Sequence, residues 1–351
     1  MKTRSFAVAA IAALLISVTG FAKPDTRSAL AKKREATRLV SMLPASDGVA
    51  VFDSKRFLTQ GLPSLLSANQ PVLAEVMAKL NEMENRTGID LRKFDQIAVG
   101  VAMKQITPKE VDFEPVVIAN GDINAGALLA VAKLASNGTY RVETIGTHTV
   151  YVFSAKDVMQ KTAAKTTNSK IATIIDKALR GITKEVAVTA LDKNTLVIGS
   201  LARVRATVEA TSHVGADITS LLTVKENAVM CFAFKTPSGG MSKMLPLDND
   251  EFGMNLDNVR YVSGSLDIEA TGTSVQMIAR TAKVEQANDL KETLDGLQVV
   301  GGAIFGGSKR PDQKLYGRLI KNAKIDARGT DVTLELLIPQ TDIDQLIGGI
   351  K

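Results

Sequence analysis

Short apolar runs with period-two alternation, each closed by a polar turn, dominate the hydrophobic pattern of this chain. Residues 140–145 and 149–153 flank Gly146 and read as a hairpin. Residues 185–190 and 195–199 are strand-like and meet at the turn Asp192-Lys193-Asn194. Residues 323–327 and 332–338 repeat that arrangement around Arg328-Gly329-Thr330, and both linkers have good turn chemistry. Helical spacing takes over elsewhere. A helix is expected over 124–135, with Ala127, Leu128, Val131 and Leu134 on one face. Another is expected from Val284 to about Val300, with Leu290, Leu294 and Leu297 in register.

These elements fall into two series of the same order. In the first, Gly88-Ile89-Asp90-Leu91 leads into strands at 94–103 and 115–119 and then the helix at 124–135. In the second, Gly253-Met254-Asn255-Leu256 leads into strands at 259–268 and 273–280 and then the helix from Val284. Each series opens with an apolar strand, 49–52 or 228–234. Each closes with a hairpin and a helix, the helices starting at Leu201 and covering 341–347. The pattern predicts an α+β fold of two similar halves, each an antiparallel sheet with helices packed on one face. The expected segments are a signal peptide at 1–22, a basic N-terminal segment at 23–45, and repeats at 46–215 and 216–351.

The N-terminus changes the picture. Lys2 and Arg4 precede an apolar run over 5–20, and Gly20-Phe21-Ala22 places small residues where an export peptidase cuts. Cleavage after Ala22 is expected, with the product in the periplasm or secreted. No second stretch reaches the roughly 18–20 apolar residues of a membrane span, so none is expected.

Charge adds less than its total suggests. The net charge is +6, but residues 1–38 hold eight of the 43 basic and two of the 37 acidic residues. That leaves 35 of each in 39–351, a neutral body without the field that steers a polyanion. Aromatic residues are 4% and Trp is absent, which argues against stacking platforms for nucleic acid or sugar. No nucleic-acid partner is expected. The basic segment 23–38 reads either as a solvated helix or tail, or as a weak contact with anionic headgroups.

Reaction chemistry finds little to work with. His148 and His213 are the two histidines, with no His-Glu-x-x-His, Cys pair or Gly-x-Ser-x-Gly elbow. Cys231, the single cysteine, sits in the apolar run 229–234 and reads as a buried hydrophobe. The glycine-rich stretch 301–309 reverses the Lys-Ser/Thr order of a phosphate loop and reads as a flexible apolar connection after a helix. Asp248-Asn249-Asp250-Glu251 is dense in oxygen ligands but has Phe252 and Val259 where a calcium loop needs donors. No catalytic residue, metal site or cofactor is expected. One apolar group stands out: Leu297, Val300, Ile304 and Phe305, set among glycines. It reads either as core with close backbone contact or as a contact surface for an apolar ligand or protein.

The segments Leu43-Pro44-Ala45-Ser46-Asp47-Gly48-Val49-Ala50-Val51-Phe52-Asp53, Thr87-Gly88-Ile89-Asp90-Leu91 and Asp331-Val332-Thr333-Leu334-Glu335-Leu336-Leu337-Ile338-Pro339 carry a resemblance. Together they resemble a loose group of uncharacterised, internally duplicated exported bacterial proteins. That resemblance implies the duplication and the export, and it brings no activity. The expected function is a non-catalytic binding or scaffolding protein of the cell envelope, with an unknown protein partner or apolar ligand. The alternatives are a carrier of lipid or another apolar ligand, and a hydrolase without a recognisable motif.

Overall fold

The computed structural model describes residues 26–107, 110–136, 138–154, 185–237, 240 and 251–348. The expected signal peptide with its cleavage site after Ala22, and the oxygen-bearing residues Asp248, Asn249 and Asp250, lie outside the described residues. The chain divides into two compact units. The first takes residues 26–55 and 75–219, and the second takes 56–74 and 220–348.

The first unit begins with helix α1 (Thr26–Ser41) and strand β1 (Gly48–Asp53). Helix α2 (Gln70–Thr87) enters it from the second unit's segment. Then come β2 (Phe94–Thr107), β3 (Glu110–Gly121), α3 (Ala125–Ala135), β4 (Tyr140–Ile145), β5 (His148–Ser154), β6 (Glu185–Asp192), β7 (Thr195–Gly199) and α4 (Leu201–Glu209). The sheet order is β1-β2-β3-β7-β6-β5-β4, with antiparallel neighbours throughout.

Alternation along the strands sorts their side chains between two faces. Helix α3 lies against Ile97, Ala119 and Leu196 through Ala125, Leu128 and Leu129. Helix α1 lies against the opposite face, where Gln96 Nε2 donates to Lys32 O at 3.0 Å. The basic segment 23–38 is helical from Thr26, with Lys33 and Arg34 exposed, but it is not solvated on every side. Ala36, Leu39 and Val40 form a stripe at helical spacing and are buried, which ties α1 to the sheet. Fully burying a residue such as Leu39 contributes about 2 kcal/mol, enough to fix a helix whose basic residues alone would leave it in water.

The second unit holds β8 (Ala228–Lys235), α5 (Glu251–Asp257), β9 (Val259–Glu269), β10 (Gly272–Thr281), α6 (Val284–Gly306), α7 (Pro311–Asn322), β11 (Lys324–Arg328), β12 (Asp331–Pro339) and α8 (Gln340–Gly348). Its antiparallel order is β8-β9-β10-β12-β11. That order repeats β1-β2-β3-β7-β6 strand for strand, and β4 and β5 are additions to the first unit. The fold is α+β with two similar halves built on antiparallel sheets. The core of the second unit joins Val259, Val262 and Val332 of the sheet to Ala287 and Leu290 of α6.

Residues 56–74 belong to this second unit although they precede most of the first in sequence. Arg56 anchors one end, with Nη1 donating to Asn227 Oδ1 at 3.2 Å and Nη2 lying 3.7 Å from Asp267 Oδ1. Leu62, Leu65 and Leu66 are buried, as are Ile343 and Ile347 of α8. Gln340 Nε2 donates to Ser64 O at 2.9 Å, and Asn69 Nδ2 donates to Ile347 O at 3.3 Å.

Candidate functional site

Helix α6 carries the arrangement most unlike an inert surface. Its N-terminal half is amphipathic: Ala287 and Leu290 are buried, while Glu285, Asp289 and Glu292 face solvent. From Gly296 to Gly307 the sequence has no ionisable residue, and Gln298 is the single polar side chain. The expected flexible connection over 301–309 is not formed. The helix runs on through Gly301 and Gly302 to Gly306.

Tertiary contact explains that continuation. After the turn at Gly307, Pro311 sits at the start of α7, where its fixed φ favours helix. Helix α7 then returns antiparallel along α6. A Cβ on Gly317 would lie 2.7 Å from Gly306 N, and one on Gly302 would lie 3.0 Å from the Lys321 side chain. The glycines therefore let the two backbones approach closely. Gln298 is spent inside the same hairpin. Its Nε2 donates to Ile320 O at 2.8 Å and to Ala323 O at 2.6 Å, satisfying carbonyls at the end of α7.

With Gln298 turned inward, the outer face of the last three turns is wholly apolar. Leu297 is 44% exposed, Val299 73%, Val300 55% and Ile304 66%. Leu297, Val300 and Ile304 stand at i, i+3 and i+7, so the structure brings three of the four expected contact residues onto one face. Phe305 is set apart: it turns toward α7, half-buried, and meets the Tyr316 ring edge-on at 6.4 Å. Sequence reasoning missed Tyr316, which is 45% exposed and extends the apolar surface onto α7. The spacing of Leu315 and Leu319 behind Pro311 is the signal that would have placed that helix.

Gly296 is of a different kind. A Cβ there would meet nothing within 4 Å, so no contact among the described residues calls for a glycine. A glycine inside a helix costs about 1 kcal/mol relative to alanine. Covering the four exposed aliphatic side chains would in turn contribute roughly 5 kcal/mol before the entropy of association is subtracted. Leu297, Val299, Val300 and Ile304 themselves hold no group that could move a proton or attack a bond.

The other chemistry-bearing residues are engaged in structure. His148 Nε2–H donates to Leu191 O at 3.3 Å, and His213 Nδ1–H donates to Ser41 O at 3.1 Å. Cys231 is 3% exposed, and burial pushes its thiol pKa up, away from a reactive thiolate. Asp267 is likewise raised by burial, against the opposing pull of the Arg56 charge. Asn255 donates to Thr293 Oγ1 at 2.8 Å, linking α5 to α6. Among the described residues, no cluster of His, Cys, Asp or Glu has the grouping of a metal site. No helix among them is long and apolar enough to cross a membrane.

No protein-family model matches the chain, and no curated protein matches it. Crystal structures of one other protein match the chain over most of its length at low similarity. Crystal form I of TP0453 matches at 10% identity and a TM-score of 0.40, covering 88% of this chain and 96% of that one. Crystal form III of the same protein matches at 9% identity and a TM-score of 0.42, covering 89% of this chain and 98% of that one. Nothing about function passes from that likeness to this chain.

Proposed function

We propose that this chain is an exported, non-catalytic binding or scaffolding protein of the bacterial cell envelope, and that it binds through the apolar end of α6. The observation that carries the reading is the uncharged outer face of Leu297, Val300 and Ile304, on a helix whose one polar side chain there is spent on capping α7. Anchors at i, i+3 and i+7 on a projecting helix are what an apolar groove of a protein partner accepts. A carrier of small apolar molecules encloses its guest in a concavity, whereas side chains this exposed on a helix form a convex surface. Export rests on the N-terminal pattern ending at Ala22. Headgroup contact through the basic segment is disfavoured, because Lys32 pairs with Asp53 at 2.9 Å and Arg38 with Glu35 at 2.6 Å.

Site-specific photo-crosslinking in the intact envelope tests this. Probes at 297, 300 and 304 are expected to give one defined protein adduct, identified by mass spectrometry. A probe at Leu337, 58% exposed on β12 and away from this ridge, gives none of it, and Ile304→Asp removes it. Adducts that are lipid only, or none at all, would overturn the proposal.

A further inference from the structure

Resting on that reading, we infer that the protein which covers this ridge is a second copy of the same chain, paired antiparallel about a two-fold axis at Val300. Three features of α6 point to that occupant. The first is steric. An antiparallel pairing centred on Val300 sets Val300 against its own mate, Leu297 against Ala303 of the second copy, and Ile304 against Gly296 of the second copy. Leu297 and Ile304 then each meet a small residue, on either side of the central Val300 pair. The glycine at 296, whose Cβ position would meet nothing within 4 Å among the described residues, becomes the notch that receives Ile304.

The second feature is charge. The exposed carboxylates Asp289 and Glu292 precede the ridge, and the exposed cation Lys309 follows it. Antiparallel pairing lays the acidic end of one helix beside the basic end of the other. Parallel pairing would set like charges together, so the charges select the direction. Lys291 does not disturb this, because it is held by Asp295 within its own helix at 2.5 Å.

The third is that the twelve residues from Gly296 to Gly307 carry no ionic group. Two copies therefore bury no unpaired charge along the seam. The seam is about 18 Å long, at 1.5 Å per residue. That is short, so the dimer is weak, with a dissociation constant on the order of micromolar. Self-pairing of this kind matches a scaffold, since it adds one copy to another through a surface each already presents.

Sedimentation velocity on the purified protein, from about 1 to about 100 µM, reads the association. The expected result is a concentration-dependent shift from one chain mass to two, lost in Ile304→Asp and in Gly296→Leu. Val300→Cys supplies a second reading, because the native Cys231 is buried and does not compete. Mild oxidation is expected to give a disulfide-linked dimer of Val300→Cys. The equally exposed control Leu337→Cys is expected to give at least tenfold less. A wild-type protein that stays monomeric, with Val300→Cys linking no faster than the control, overturns self-pairing. If the photo-crosslinks at 297, 300 and 304 then identify a different protein, the wider reading stands. If they identify none, both fall.

Discussion

Arg203 of α4 is 8% exposed, and its guanidinium donates to Ala45 O and, at 2.6 Å, to Ser46 Oγ. Asp47 beside them accepts from Met103 N at 2.8 Å. The Leu43-Pro44-Ala45-Ser46-Asp47 motif is therefore an anchor for β1, which explains why a resemblance resting on it brings no chemistry. Asp90 has the same kind of duty in Thr87-Gly88-Ile89-Asp90-Leu91. Its carboxylate caps the 3-10 turn Leu91–Lys93, accepting from Arg92 N at 3.0 Å and from Arg92 Nε at 2.7 Å. Burial by itself would raise the Asp90 pKa, but the Arg92 hydrogen bonds and the Arg92 and Lys93 charges outweigh it and hold the carboxyl below its usual range. A folded value below the unfolded one adds stability that is fully present above the unfolded carboxylate pKa, about 4. That stability is lost as pH falls through the depressed folded value. Asp90→Asn keeps a capping oxygen and removes the charge. Urea unfolding across pH is expected to show wild type above Asp90→Asn at neutral pH, the two curves converging in acid. Parallel curves would mean that the carboxylate contributes no charge-dependent stability.

At the scale of elements, the α6–α7 hairpin separates what glycine does in two settings. Gly317 lies so close to α6 that a Cβ would sit 2.7 Å from Gly306 N and 3.0 Å from Gly306 Cα, backbone that cannot swing aside. Gly317→Val is expected to destabilise the protein by about 3 kcal/mol, through forced separation of the helices. Gly296 has open space beyond it, so Gly296→Ala is expected to raise the stability of the monomer by up to about 1 kcal/mol. Thermal unfolding of both variants at low protein concentration checks the pair, and equal shifts of the same sign would refute this account. The same hairpin marks the limit of what the sequence reveals. Strands with period two and polar turns, such as β4–β5 and β6–β7, were legible because their signal is local. The end of α6 was not. Four glycines within seven residues argue for a stop on propensity, and the helix persists because Gly302 fits Lys321 and Gly306 fits Gly317 across a contact that local pattern does not encode. Leu297, Val300 and Ile304 could be named from hydropathy, but their shared exposed face depends on that unexpected continuation.

At the scale of the whole molecule, the duplication was readable from element order, and the identical strand orders β1-β2-β3-β7-β6 and β8-β9-β10-β12-β11 express it. The place of residues 56–74 was not readable, because their partners lie some 170 to 280 residues further along. No periodicity reports contacts at that separation. The assignment has an energetic consequence for the second unit. Without 56–74, the buried residues Ile343 and Ile347 of α8 lose the cover of Leu62, Leu65 and Leu66. Asp267, already disfavoured as an anion by burial, also loses the attraction of Arg56. A fragment of residues 220–351 is thus expected to fail to fold cooperatively, as seen in a broad urea transition and binding of a hydrophobic dye. Adding a peptide of residues 54–74 in excess is expected to sharpen the transition and displace the dye, since ligation stabilises the folded form by mass action. The same peptide with Leu62, Leu65 and Leu66 changed to Ser is expected to do neither. A fragment that unfolds sharply by itself would show that the segment decorates the second unit without completing it.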